Sequence, residues 1–119
     1  MNAKITKHAL ERFREQYPTA TVGNLLDAFA DAYPAPIDFV LKVAYPGRFR
    51  RTRDRHARDC LHRREWFAVA ADFAGAFVLR PAVTADGASA PGWAIVTYLR
   101  FDAAQGAQLR YLLDGEEAA

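Results

Sequence analysis

The residues whose types favour a definite chemistry are concentrated between Arg48 and Arg64. Eight of the chain's 16 basic residues lie in these 17 positions, and all eight are arginines. Only Asp54 and Asp59 oppose them, which gives the segment a net charge of +6. The other eight basic and twelve acidic residues give the rest of the chain −4. A planar guanidinium binds phosphate through two hydrogen bonds and stacks on nucleobases.

This asymmetry predicts a binding surface for a polyanion, with a solvated loop as the alternative. The arginines of the predicted nucleic-acid-binding segment are Arg48, Arg50, Arg51, Arg53, Arg55, Arg58, Arg63 and Arg64.

Other reactive side chains are sparse. His8 and Arg12 are four residues apart, so a helix places them on one face. His56 and His62 lie inside the arginine-rich segment. The sequence has no glycine-rich phosphate loop, no cysteine pair and no clustered carboxylates, which argues against a metal or nucleotide cofactor. An enzyme of this composition would use histidine, arginine and hydroxyl groups without metal.

The length of 119 residues predicts a single domain, residues 1–119. Cys60 is the chain's one cysteine, so no internal disulfide can form, which fits a reducing compartment. Neither a signal peptide nor an apolar run of membrane-spanning length is present. The expected location is the cytoplasm, without a membrane partner.

Helices are predicted in the first part of the chain. Thr6 and Thr21 are suited to cap two of them, which should end before Pro18 and Pro34. The apolar stripe expected on the second helix consists of Leu25, Leu26, Phe29 and Tyr33. A third helix is predicted over Ile37–Ala44, with a strand there as the alternative.

Strands follow. Segments 66–72, 76–83 and 93–101 are rich in β-branched and aromatic residues, and a flexible loop is expected over 84–92. Strict alternation in the last strand would place Thr97 on the face of Ile95, with Tyr98 opposite. The predicted class is α+β: two or three N-terminal helices packed on a three- to four-stranded antiparallel sheet, with a short C-terminal helix as a further possibility.

Two short motifs add a family expectation. The first helix reads His8-Ala9-x-x-Arg12-Phe13, and the last strand contains Ile95-Val96-Thr97-Tyr98. With the order of helices, basic segment and strand meander, these motifs resemble small bacterial and phage domains of the barnase/colicin/RelE-like ribonuclease superfamily.

The resemblance implies metal-independent cleavage of RNA by a toxin- or prophage-type endoribonuclease. His8 would be the general base or acid, Arg12 would hold the phosphate, and Thr97 would donate a hydrogen bond to it. Tyr98, or a histidine of the arginine-rich segment, would supply a second proton-transfer group. The implied partners are RNA and an immunity or antitoxin protein.

Two functions of other classes are alternatives. One is a non-catalytic nucleic-acid-binding or phage accessory protein. The other is a protein-interaction module whose arginine-rich segment meets an acidic partner. Convergence of His8, Arg12 and Thr97 at a groove beside the basic segment would favour the enzyme.

Overall fold

The computed structural model describes residues 3–45 and 50–118, which form five helices and five strands. The helices are α1 (Lys7–Gln16), α2 (Val22–Ala30), α3 (Ile37–Ala44), α4 (Arg50–His62) and α5 (Ala103–Ala118). The strands are β1 (Ala3–Ile5), β2 (Tyr33–Ala35), β3 (Trp66–Val69), β4 (Gly75–Val83) and β5 (Ser89–Arg100).

The strands form one sheet in the order β1-β5-β4-β3-β2. Three neighbouring pairs are antiparallel, whereas β1 runs parallel to β5 and pairs with it from Trp93 to Ile95. The α+β class is confirmed. The expected three or four antiparallel strands are corrected to five strands in a mixed sheet.

The two strands that sequence patterns missed are three residues long, too short to show a period of two. Pro34 lies in the middle of β2, and a proline there argues against a strand in general. Because β2 is the sheet's edge, its outer side needs no backbone donor, and the proline is tolerated.

Helices cover both faces of the sheet. On one face α1 and α2 contribute Phe13 and Leu25, which pack with Phe77 and Ile95. On the other face α3, α4 and α5 contribute buried side chains that pack around Val78. These side chains are Val40, Leu41, Val43, Cys60 and Leu109. The result is three layers with two separate cores.

Local capping explains the first two helices. The Thr6 hydroxyl accepts a hydrogen bond from the Ala9 amide (3.1 Å), and Thr21 forms a capping box with Asn24. The predicted stripe of α2 is only partly correct, because the helix ends at Ala30 and Tyr33 enters β2. Of that stripe Leu25 is buried, whereas Leu26 and Tyr33 are exposed.

A bulge decides which way the side chains of β5 point. Thr97 lies opposite Val78, but Ile95, two residues earlier, lies opposite the next residue of β4, Leu79. Val96 is therefore the extra residue, as in a β-bulge. Ile95 and Tyr98 both join the core under α1, and the predicted alternation that grouped Thr97 with Ile95 is wrong. Thr97 instead lies on the face of α3 and α5.

Candidate nucleic-acid interface and adjoining groove

Most of the arginine-rich segment is helical. Helix α4 turns Cys60 into the core, with Ala57 and His56 half-buried beside it. Its opposite side carries an exposed row at helical spacing, here called the α4 stripe: Arg51, Arg55, Arg58 and His62. The loop alternative is therefore corrected for residues 50–62. Arginine is a good helix former. Its long side chain can keep the charged group in water while the rest of the helix packs on the protein.

No carboxylate in the described part of the chain forms an ion pair with the α4 stripe. Three ion pairs occur there, Arg12–Glu15, Arg80–Glu65 and Arg110–Asp114, and none involves α4. Asp54 and Asp59 belong to the same helix and lower its net charge, but neither forms an ion pair with an arginine side chain that the structure describes there. The guanidinium groups of the stripe are thus available to an external anion.

The remaining arginines of the segment are placed differently. Arg53 is half-buried on the inner side of α4, whereas Arg63 and Arg64 are exposed just after the helix. Of Arg50 only the helical backbone is described, and Arg48 lies outside the described residues.

The end of α4 is fixed by its backbone. The Glu65 amide donates to the Cys60 carbonyl (2.9 Å) and the Arg64 amide to the Leu61 carbonyl (3.2 Å). This is the Schellman pattern, and it holds Arg64 at a φ of 57°. Glu65 then turns inward, is buried, and pairs with Arg80 of β4. The exposed arginines at this end are therefore anchored to the sheet.

A groove of about 360 Å³ lies along β5, beyond the short stretch that β1 covers. It is lined by α1, by the last residue of α3 and the residue after it, by β5 and by the start of α5. Its polar lining residues, which define the β5 groove here, are Arg12, Glu15, Tyr45, Thr97, Tyr98, Arg100 and Gln105. Two arginines against one glutamate favour an anionic ligand.

The β5 groove brings together two of the three predicted catalytic residues. Arg12 and Thr97 both line it, although 85 positions separate them in the sequence. Parallel pairing of β1 with β5 makes this possible, because α1 follows β1 directly and runs along β5. His8 is exposed on α1, one turn before Arg12, and is not among the described residues that line the groove.

Both residues retain binding capacity. Arg12 reaches Glu15 at 3.4 Å, and the two side chains are 50% and 58% exposed. Such a pair contributes at most about 1 kcal/mol, so the guanidinium can exchange Glu15 for a phosphate. The Thr97 hydroxyl has no hydrogen-bond partner within the described chain and can donate to a bound anion.

The structure separates the residues considered for the second proton transfer. Tyr98 is buried, its hydroxyl donates to the Gln16 side chain (2.6 Å), and burial raises its pKa. Although Tyr98 lines the β5 groove, its hydroxyl is already bonded to Gln16, and we assign it a role in packing. The His56 ring is stacked on Tyr45, a residue of the groove, with 4.7 Å between centroids. His62 belongs to the α4 stripe and faces outward.

Sequence reasoning missed Tyr45, Arg100 and Gln105. Tyr45 ends α3 just before the arginine-rich segment, and Arg100 ends β5. Positions at element ends beside a predicted site are the signal that could have found them, because loops and termini carry most binding residues.

Neither a metal cluster nor a membrane-spanning helix occurs among residues 3–45 and 50–118. No group of three or more histidine, cysteine, aspartate or glutamate side chains there could hold a metal ion. None of the helices there combines the length and hydrophobicity that a bilayer requires.

Comparison with known proteins adds no relative. The chain matches no protein-family model, and neither a curated protein nor a solved structure matches it.

Proposed function

We propose that this protein binds RNA through the α4 stripe, with the RNA backbone continuing towards the β5 groove. The observation that carries the proposal is the row of exposed, unpaired arginines on α4. From Arg51 to His62 this row extends about 16 Å, at 1.5 Å per residue. Its cations are spaced for a chain of phosphates rather than for one.

Metal-independent cleavage of the bound RNA is the second candidate function. It is favoured by the meeting of Arg12, Arg100 and Thr97 in one groove, with His56 next to its rim through Tyr45. A histidine would take the proton of the ribose 2′-OH, which attacks the adjacent phosphate. The two guanidinium groups and the threonine hydroxyl would stabilise the charge that develops on the phosphate oxygens.

RNA binding is tested by fluorescence anisotropy of a labelled single-stranded RNA over a series of KCl concentrations. The logarithm of affinity should fall with the logarithm of salt by about 0.7 per neutralised phosphate. Replacing Arg51, Arg55 and Arg58 by alanine should reduce that slope by about 2. Arg110→Ala, an exposed arginine of α5 paired with Asp114, is the control and should leave the slope unchanged. Equal effects of the triple variant and the control would reject the α4 stripe.

Cleavage is tested by incubating the RNA with protein in excess EDTA. Arg12→Ala and Thr97→Val should each slow degradation while binding through α4 persists. The valine keeps the shape of threonine and removes only the hydroxyl. RNA that stays intact with the wild-type protein, but binds it, would leave the non-catalytic binding protein as the function.

A further inference from the structure

A second cavity, on the opposite face of the sheet from α4, has the reverse chemistry. It has a volume of about 410 Å³ and lies between α1, α2 and the turn after β3. Asn24, Ala28 and Asp31 line it and are spaced so that they lie on one face of α2. We therefore call it the α2 cavity. Volumes of roughly 300 Å³ and above are typical of small-molecule sites.

Aromatic rings and alanines form its walls. Phe13 packs edge-on against Tyr98 (5.1 Å between centroids) and at a tilt against Tyr17 (4.9 Å). Tyr98 cannot swing away easily, since its hydroxyl is held by Gln16 and lies over Gly75. A rigid aromatic wall offers dispersion contact to a flat ring and a negative π face to a cation.

Carboxylates are the charged groups of this cavity. Asp31 and Asp72 line it from different elements, and its lining residues include no lysine, arginine or histidine. Asp72 accepts hydrogen bonds from the Ala74 amide (3.0 Å) and the Tyr17 hydroxyl (3.4 Å), but neither donor carries a positive charge. Within the described chain no basic side chain forms an ion pair with Asp31 or Asp72.

The position of Asp31 is unfavourable for the helix itself. It is the C-cap of α2, where the helix dipole is negative, and the last turn of α2 contains no basic residue to compensate. A bound cation would relieve this repulsion and would also meet Asp72 across the cavity.

We infer that the α2 cavity binds a small organic ammonium compound carrying an aromatic ring. The ring would pack against Phe13, Tyr17 and Tyr98, and the ammonium group would lie between Asp31 and Asp72. The α2 cavity lies on the opposite face of the sheet from α4 and attracts charge of the opposite sign to RNA; among the described lining residues it shares only Tyr98 with the β5 groove.

The test uses three probes with the same ring and different charge: phenethylammonium, 2-phenylethanol and 3-phenylpropionate. Each is titrated into ¹⁵N-labelled full-length protein and followed by amide chemical shifts. The ammonium compound should shift the amides of Ala28, Ala71 and Asp72 and bind at least about tenfold more tightly than the carboxylate. Equal or tighter binding of the carboxylate would overturn the inference.

Variants that remove single carboxylates test whether the ammonium group lies between Asp31 and Asp72. Asp31→Asn and Asp72→Asn should each weaken phenethylammonium roughly fivefold and leave 2-phenylethanol unchanged. Asparagine keeps the side-chain oxygen that caps Ala74, so the turn should be preserved, as dispersed amide spectra would verify. Asp27→Asn is the matched control, an exposed aspartate of α2 that does not line the cavity. Weakening by Asp27→Asn to the same degree would contradict the proposed position.

Occupancy is tested separately by filling the cavity. Ala28 is half-buried in its wall, and Ala28→Leu adds three carbon atoms there. This variant should abolish binding of both the ammonium compound and the alcohol. Unchanged binding would show that the probes bind elsewhere and would overturn the assignment.

The contribution of the aromatic ring is tested with Nα-acetyl-lysine amide, which has the ammonium group without the ring. It should bind more weakly than phenethylammonium, and tighter binding would overturn the assignment.

Discussion

The imidazole of His56 is stacked on the ring of Tyr45, with the centroids 4.7 Å apart and the planes 13° from parallel. His56 belongs to the inner side of α4, and Tyr45 lines the β5 groove. Through this contact the inner side of α4 meets the rim of the groove that holds Arg12 and Thr97, whereas the α4 stripe lies on the opposite side of that helix.

His56→Phe separates the two possible roles of this contact. Phenylalanine can maintain the stack on Tyr45 but cannot transfer a proton. If His56 is the base, cleavage of RNA in EDTA should fall by about 10²- to 10⁴-fold while affinity changes little. His62→Phe, in the α4 stripe, is the control: at saturating protein it should cleave bound RNA at the wild-type rate, because this substitution affects RNA affinity and not proton transfer. Wild-type cleavage by His56→Phe, together with loss of cleavage in His8→Ala, would return the role of base to His8.

The sequence was sufficient where structure is decided locally. The helix over Ile37–Ala44 and the start of α1 after Thr6 follow from apolar spacing and capping, and both predictions are confirmed. Helix α4 was not predicted, because its inward side consists of Arg53, His56, Ala57 and Cys60 and shows little hydrophobic periodicity. Arginines make up so much of this segment that the weak apolar pattern of its inward side is not evident from the sequence.

The site depended on contacts that are remote in sequence. His8 and Arg12 could be placed on one helix, but only the pairing of β1 with β5 determines that Arg12 faces the same groove as Thr97. The side of the sheet on which Thr97 lies depends on the bulge at Val96, and no local sequence pattern predicts that bulge. Long-range register therefore limited the prediction more than residue chemistry did.

Arg64→Gly should stabilise the protein. Arg64 occupies the left-handed region at φ 57°, where a Cβ is unfavourable and glycine is not. Its side chain is exposed, so little packing is lost. We expect the free energy of unfolding to rise by about 0.5–1 kcal/mol in urea denaturation. Arg63→Gly removes the same charge at a position without a positive φ and should not be stabilising. A loss of stability in Arg64→Gly would contradict this account of the cap.

Two glycines of α5 should respond oppositely to alanine. A Cβ on Gly106 would lie 2.5 Å from the Phe73 carbonyl oxygen, a backbone atom that cannot easily move. A Cβ on Gly115 would have no neighbour within 4 Å. Gly106→Ala should therefore lower the free energy of unfolding by about 1–3 kcal/mol. Gly115→Ala should raise it by up to about 1 kcal/mol through helix propensity. Thermal and urea denaturation of the pair would measure the difference, and a stabilising Gly106→Ala would show that α5 does not approach Phe73 so closely.

Cys60 should be inert while the protein is folded. Burial, assisted by a hydrogen bond to Glu65 and the charge of that carboxylate, raises the pKa of the thiol from 9.0 to about 12. At pH 8 the folded protein should then hold roughly a thousandfold less thiolate than the unfolded chain, and a disulfide reagent such as DTNB should label it correspondingly slowly.

The same shift gives the sign of the alkaline response. Because the folded thiol has the higher pKa, its contribution to stability is complete below pH 9 and is lost as the pH rises towards 12. Labelling of the native protein should accelerate about tenfold per pH unit, whereas labelling of the protein unfolded in guanidinium levels off above pH 9. Glu65→Gln removes the negative charge beside the sulfur, so it should lower the pKa and speed native labelling. Equal labelling rates for folded and unfolded protein at pH 8 would mean that Cys60, and with it the inner side of α4, is open to solvent.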